Sequence, residues 1–346
     1  MVKVEVVNWR CVEDLGLELA KANLFVGPNS SGKSSLAYAI YLASRSARVL
    51  EPQTLALQLY GCGFDGIARL VDGRPQFPLS ISIEDAELSV ELREQKPEVV
   101  KRPHASPWAD EFLLPSKRAA YLQIMQLLPK MGAAMWREAK PEGLRGLVAM
   151  AGGLFELFKQ LHLIPPFTAF ADDCVRALTG VRPQAVEGTM EGVGSYVVAI
   201  HFLTPLIGLT FGDPYIKEVQ LLIDSTPEGL LDIMVLDSMV KRVPEGSLLV
   251  VEEPEVHKNP KSVMELAERM VRSAIERRLT LVMTTHSDLL LSAVGKLVEE
   301  GVLRPEDVRA YYLKRDPWTR ASEIKVYEDG TMEGWPDMDE VVARLF

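Results

Sequence analysis

Residues Leu24 to Leu36, LFVGPNSSGKSSL, join a short apolar run to a glycine-rich loop that opens into a helix. Within this stretch Gly27, Gly32, Lys33 and Ser34 satisfy G-x-x-x-x-G-K-[ST], the pattern of a phosphate-binding loop. Glycines let successive backbone N–H groups face one anion, the lysine places a point charge at the β/γ-phosphates, and the serine offers a hydroxyl to Mg²⁺. The flanks agree with the motif. Ala22 to Val26 reads as a buried strand, and Ser35 to Ala47 carries Leu36, Ala39, Ile40 and Ala43 at helical spacing. The candidate phosphate ligands are therefore Asn29, Ser30, Ser31, Gly32 and Lys33, with Ser34 and Ser35 opening the helix.

Upstream of the loop, residues 2 to 26 read as three strands, with Val2, Val4 and Val6 alternating in the first and Leu15, Leu17 and Leu19 in the second. Downstream, Pro78 to Arg93 alternates twice around Glu84-Asp85-Ala86, the pattern of an antiparallel hairpin. Pro97, Pro103, Pro107 and Pro115 then punctuate a stretch expected to cross the surface. From Ala119 to about Thr179 the pattern is helical and apolar, broken at Pro129, Pro141, Gly152-Gly153 and Pro165-Pro166, and reads as an inserted bundle. Its stripe of Met125, Leu127, Leu128, Met131 and Met135 suits core packing or a partner groove. No heptad runs through it, so no long coiled-coil arm is expected.

Strand-like sequence returns at Lys217 to Ile223, followed by a turn and a helix from Leu230 to Lys241. Ser247 to Val251 is a continuous apolar strand ending on Glu252-Glu253-Pro254-Glu255. A helix is expected over Lys261 to Arg277, and a second apolar strand, Leu279 to Thr284, ends on Thr285-His286-Ser287. Open α/β sheets place their ligands at the carboxyl ends of such strands. Glu252, Glu253 and His286 are thus expected to meet the glycine-rich loop around one nucleotide. Two more strand-like runs follow, Val308 to Lys314 and Glu323 to Tyr327, and Trp335 is assigned to core packing or docking.

Composition bounds the reading. The chain has 346 residues, 47% of them hydrophobic and 25% charged, which is ordinary for a globular protein with a large core. The amino terminus lacks the continuous apolar region of a signal peptide, and the most apolar stretch, Val197 to Phe211, is interrupted by His201, Thr204 and Pro205. A cytoplasmic protein with no membrane partner is expected. Cys11, Cys62 and Cys174 are too far apart for a zinc knuckle or a disulfide framework. The net charge of −10 does not support nucleic-acid binding by a broadly basic surface, although local basic patches leave it open.

Taken together, LFVGPNSSGKSS, LLVVEEPEVHKNP and LVMTTHSDLL resemble the ABC-type ATPase heads of the Rad50/SMC and OLD-like superfamily, and more narrowly the stand-alone ATPases labelled AAA-15 or AAA-21. Asn8-Trp9-Arg10 resembles the asparagine-aromatic-arginine run that follows the first strand of those proteins, and adds Arg10 to the nucleotide ligands. The resemblance implies an α/β fold: a P-loop ABC-type ATPase with a mixed central sheet, an antiparallel β lobe and an inserted helical subdomain. On this reading residues 1–104 and 216–346 form the ATPase core and 105–215 the helical insert. ATP and Mg²⁺ are the implied cofactors. Lys33 would hold the β/γ-phosphates, Ser34 and Glu252 would serve the metal, Glu253 would orient or deprotonate the attacking water, and His286 would sense the γ-phosphate. An ATP-dependent homodimer is implied, with a separate protein partner at the insert and a role in DNA repair or defence.

The departures from the pattern also carry information. The metal-site aspartate is Glu252 here, one methylene longer. The loop that a partner subunit offers to the γ-phosphate normally reads Ser-x-Gly; the corresponding run, Ser225-Thr226-Pro227-Glu228-Gly229, has proline where the serine is expected. Ser225, Thr226 and Gly229 are its candidate contacts. This keeps open an ATP-sensing scaffold with little hydrolysis, and more distantly a transporter ATPase subunit. With about fifty residues after Ser292, the nuclease domain of OLD-like enzymes is not expected within this sequence.

Overall fold

The computed structural model describes residues 1–49, 51–124, 165–178, 185–190, 194–203, 206–212, 220–222 and 228–335. In chain order the elements begin with β1 (Val2–Trp9), β2 (Val12–Leu19), β3 (Ala22–Val26), α1 (Lys33–Ser46), α2 (Pro52–Tyr60) and α3 (Phe64–Ile67). Then come β4 (Leu70–Val71), β5 (Arg74–Pro75), β6 (Leu79–Ile83), β7 (Ala86–Arg93), β8 (Lys96–Lys101) and β9 (Glu111–Leu114). A helical segment at 118–124 and α4 (Phe167–Leu178) follow, with β10 (Ala185–Met190), β11 (Gly194–Leu203), β12 (Leu206–Gly212), β13 (Gln220–Leu222) and α5 (Glu228–Arg242). The described chain closes with β14 (Leu248–Glu252), α6 (Pro260–Glu276), β15 (Thr280–Thr285), α7 (Asp288–Glu299), β16 (Val308–Arg315), β17 (Thr319–Val326) and β18 (Met332–Glu333).

The chain divides into two compact units: Met1–Ser116 with Val243–Phe346, and Lys117–Arg242. The first unit holds a mixed seven-stranded sheet in the order β18-β17-β16-β3-β15-β14-β9. Its strands from β9 to β16 are parallel, and β17 and β18 add antiparallel pairs at one edge. All five residues of β3 are buried, as are Leu248–Val251 of β14 and Leu281–Thr285 of β15. Strands covered on both faces explain why these runs are continuously apolar. A second, five-stranded antiparallel sheet, β2-β1-β6-β7-β8, forms the β lobe. Its inward side chains alternate, Val4 and Val6 in β1 opposite Ile83 and Ile81 in β6. The expected hairpin at Pro78–Arg93 is β6–β7.

Helix α1 starts directly on the glycine-rich loop, with Gly32 as its cap, and buries Leu36, Ala39, Ile40 and Ala43 as the spacing predicts. Helix α6 starts at Pro260, with the Asn259 side chain accepting from the Ser262 N–H. On that helix Glu268 and Arg272, four residues apart, form a surface ion pair at 2.8 Å.

Three expectations need correction. β9 lies inside the expected insert 105–215, yet it is an edge strand of the central sheet, paired in parallel with β14. The run is four residues long between Pro107 and Pro115, and only its long-range pairing makes it a strand. The second unit is not purely helical either: β10 to β13 form a four-stranded antiparallel sheet over residues 185–222. Finally, β13 and α5, expected in the ATPase core from residue 216, belong to the second unit. Most of the expected bundle, including the Met125–Met135 stripe, lies outside the described residues.

Inside the second unit, Arg118 and Asp232 form a fully buried ion pair, with Nη2 donating to Oδ2 at 2.7 Å and Nε 2.6 Å from Oδ1. Tyr121 packs edge-on against Phe167 and tilts against Phe170. Among the described residues no helix is long and apolar enough to cross a membrane.

Candidate functional site

Parallel register assembles the site. Val26, the last residue of β3, is level with Thr285 of β15 on one side and Tyr312 of β16 on the other, and Glu252 of β14 is level with Thr284. The glycine-rich loop, the Glu252-Glu253 pair and His286 therefore leave the sheet along one edge. They open on a cavity of about 460 Å³ that Arg10, Asn29, Ser30, Gly32, Lys33, Ser34, Ser35, Glu253 and His286 help to line.

The loop is shaped by close contacts. Gly27 has φ +140° and a Cβ there would lie 2.2 Å from the Leu313 carbonyl oxygen; Gly32 has φ +103° and a Cβ there would lie 2.5 Å from Thr319 Oγ1. The Thr319 hydroxyl donates to the Ser31 carbonyl at 2.9 Å, and the Thr319 N–H donates to the Cys11 carbonyl at 2.8 Å. Trp9, fully buried, donates its indole N–H to the Ser35 carbonyl in the first turn of α1. Arg10, Ser30 and Glu253 hold φ of 50°, 64° and 45°, and all three line the cavity. Non-glycine residues in that region cost about 1–3 kcal/mol each and cluster at functional sites.

Lys33 is buried and its ammonium donates to the Gly27 and Pro28 carbonyls at 2.8 Å each. Burial lowers its pKa to about 8, against the opposing pull of Glu253, Glu255 and Glu252. His286 Nδ1 lies 3.4 Å from the same ammonium and Nε2 lies 3.2 Å from Glu253 Oε1. A proton on Nε2 satisfies both contacts, with Lys33 donating to Nδ1 and Nε2–H donating to Glu253. The Glu253 N–H is held by Thr284, through its carbonyl at 3.0 Å and its hydroxyl at 3.3 Å.

Glu252 accepts from the Tyr38 hydroxyl at 2.9 Å and from the Ser116 N–H at 3.0 Å. Tyr38 is one helical turn beyond Ser34, so the bond carries Glu252 to the face of α1 that presents the Ser34 hydroxyl. The residues fit Mg²⁺ bound together with a nucleotide: one hydroxyl, one carboxylate, and the nucleotide's own oxygens. Among the described residues no cluster of three or more His, Cys, Asp or Glu could hold a metal without a ligand's help. The buried Ser31 Oγ has no hydrogen-bond partner among the described residues.

Of the residues expected from the first unit, Arg10, Asn29, Ser30, Gly32, Lys33, Ser34, Ser35, Glu253 and His286 line the cavity, and Ser31 and Glu252 are not among its lining residues. Of the signature-like residues, Ser225 and Thr226 lie outside the described residues, and Gly229 is the second residue of α5 in the second unit. Four site residues were missed. Glu255 accepts from the Thr285 hydroxyl and the His286 N–H, holding the histidine's loop, and the repeated glutamate of EEPE was its only signal. Tyr38 was detectable as the residue one turn beyond Ser34. Arg315 and Trp318, which line the cavity from the β16–β17 connection, carried no sequence signal.

These features are those of a P-loop nucleotide-binding site. A family model described as "AAA ATPase domain" matches residues 1–97, and one described as "AAA domain, putative AbiEii toxin, Type IV TA system" matches residues 205–292. No curated protein matches the chain. Among solved structures, the chain is similar to an Smc head domain with an extended coiled coil, bound to the C-terminal domain of ScpA and derived from Pyrococcus furiosus. The two are 12% identical with a TM-score of 0.50, and the match covers 100% of both chains. An SmcHead bound to the C-winged helix domain of ScpA matches at 12% identity over 93% of this chain and 97% of that one, with a TM-score of 0.49. The SMC head domain from Thermotoga maritima matches at 9% identity over 94% and 98%, with a TM-score of 0.42. In fold the chain is an SMC/Rad50-like ABC-type ATPase head.

Proposed function

We propose that this chain binds ATP with Mg²⁺, hydrolyses it, and acts as a nucleotide-driven switch in which two copies close around the nucleotide. The observation that carries the reading is the convergence of Lys33, Ser34, Glu253 and His286 on one cavity at the carboxyl edge of the sheet, with Glu252 at the end of β14 bonded to Tyr38 of α1. Loop N–H groups and Lys33 bind and orient the polyphosphate, so that the γ-phosphoryl faces Glu253. Glu253 aligns a water and accepts its proton, and His286, bonded to Glu253, holds the carboxylate in place. Ser34 and Glu252 would hold Mg²⁺, which when bound would supply charge neutralisation at the phosphoryl oxygens.

Smc heads bound to ScpA support a protein partner for this chain as well, and the second unit, Lys117–Arg242, is the element proposed to receive it. DNA repair or defence is the process we infer from the resemblance. A second reading, an ATP sensor with little turnover, is favoured by Pro227 in the signature-like run.

Phosphate release, nucleotide affinity and particle size measured on the wild type and Glu253→Gln test the proposal. Turnover should fall about 10²- to 10⁴-fold in the variant, with affinity retained and an ATP-dependent dimer trapped. Unchanged turnover overturns the role of Glu253. A wild type that dimerises with ATP but does not hydrolyse it selects the sensor.

A further inference from the structure

Beyond the phosphate-binding half, the cavity has a second wall that no motif describes. Ile67, Ala68 and Leu70 line it from the α3–β4 segment, and Arg315 and Trp318 line it from the β16–β17 connection. Leu70 is 53% exposed, a large apolar side chain left open at the cavity mouth. Arg69, between Ala68 and Leu70, does not line the cavity; its guanidinium stacks on the Trp318 ring 4.6 Å from the centroid. That guanidinium is fixed by Glu13 at 2.9 Å and by the Asn8 side chain at 3.0 Å. Arg69 thus covers one face of the indole, and Trp318 also lines the cavity. The next residue, Thr319, is tied to the loop through Ser31 and to Cys11, and the Trp318 carbonyl accepts from the Asp316 N–H at 3.1 Å. The indole is therefore held in register with the phosphate-binding loop before any ligand arrives, which lowers the ordering cost of binding.

We propose that Trp318, backed by Arg69 and flanked by Leu70, is the platform on which the nucleobase of the bound nucleotide stacks. The inference rests on the nucleotide reading given above. An aromatic platform with an apolar neighbour reads a π-face rather than a base edge, so the ligand class is nucleoside phosphates in general. Residues 308–327, which carry the platform, lie outside both segments matched by the ATPase family models.

Calorimetric titrations with Mg²⁺ present, using ADP and inorganic pyrophosphate as probes with and without a base, test the platform. Trp318→Ala should weaken ADP about tenfold or more and leave pyrophosphate within about twofold, while Trp318→Phe keeps ADP affinity near wild type. Trp318→Leu keeps apolar bulk under Arg69 without the ring and should behave as Trp318→Ala. ADP affinity unchanged in Trp318→Ala and Trp318→Leu overturns the platform while nucleotide binding stands. Equal loss of ADP and pyrophosphate in both also overturns it, because the damage is then to the loop. A wild type that binds neither probe overturns the nucleotide reading itself, and the platform with it.

Discussion

Lys33 sits where its charge is costly, and that gives nucleotide binding a pH dependence of definite sign. Burial lowers its pKa from 10.5 to about 8, although three glutamates pull the other way. Between those two values the unfolded chain keeps a proton that the folded chain has released. Stability therefore rises with pH through this window, and below it the buried charge costs about 3 kcal/mol. A polyphosphate beside the ammonium favours the charged form and restores the proton. Binding should take up about half a proton at pH 8 and about nine-tenths at pH 9, and affinity should fall by up to about tenfold per pH unit above 8. The ligand's own phosphate ionisation is complete in that range and adds nothing. Calorimetric titration of ADP at pH 7 to 9.5, in buffers of different ionisation enthalpy, reads both quantities. Lys33→Met should bind more weakly, with no proton uptake. Affinity that stays flat from pH 7.5 to 9.5, with no uptake at pH 9, would refute the argument that burial controls this lysine.

Two further outcomes follow from packing. Gly32→Ala combines an unfavourable φ of +103° with a 2.5 Å approach to Thr319 Oγ1, so about 1–3 kcal/mol of strain should add to a similar cost of overpacking. Gly73→Ala, at φ +74° with nothing within 4 Å, should cost only the strain, and thermal melts of the two variants measure the difference. Asp232→Ala removes the carboxylate paired with the buried Arg118 and should destabilise the second unit by about 3–5 kcal/mol, whereas Arg118→Met with Asp232→Leu should recover most of the loss in chemical denaturation.

Elements with a continuous apolar run or a strict alternation were legible because burial on two faces or on one leaves those patterns directly. β3, β14 and β15 are of the first kind, and β1, β2, β6 and β7 of the second. β9 was not legible, since four residues between prolines become a strand only through β14, more than a hundred residues away. The boundary between the units was missed for the same reason. Continuity of composition across residue 216 says nothing about which sheet or helix a segment joins.

The phosphate half of the site was readable because its donors are contiguous: backbone N–H groups, a lysine and a serine act on one anion from a single turn. Even there the local reason was incomplete. Glycines were expected so that the loop could turn toward phosphate, yet Gly27 and Gly32 are also the points where the Leu313 carbonyl and the Thr319 hydroxyl reach the loop. The motif therefore encodes a contact with a hairpin nearly three hundred residues downstream as well as a turn. That contact is what brings Trp318 and Arg315 to the cavity, and nothing near them in sequence marks a ligand site. Positions whose chemistry comes from neighbours in sequence declare themselves as motifs. Positions whose chemistry comes from a contact, such as an indole backed by the guanidinium of Arg69, become visible only when the sheet order is known.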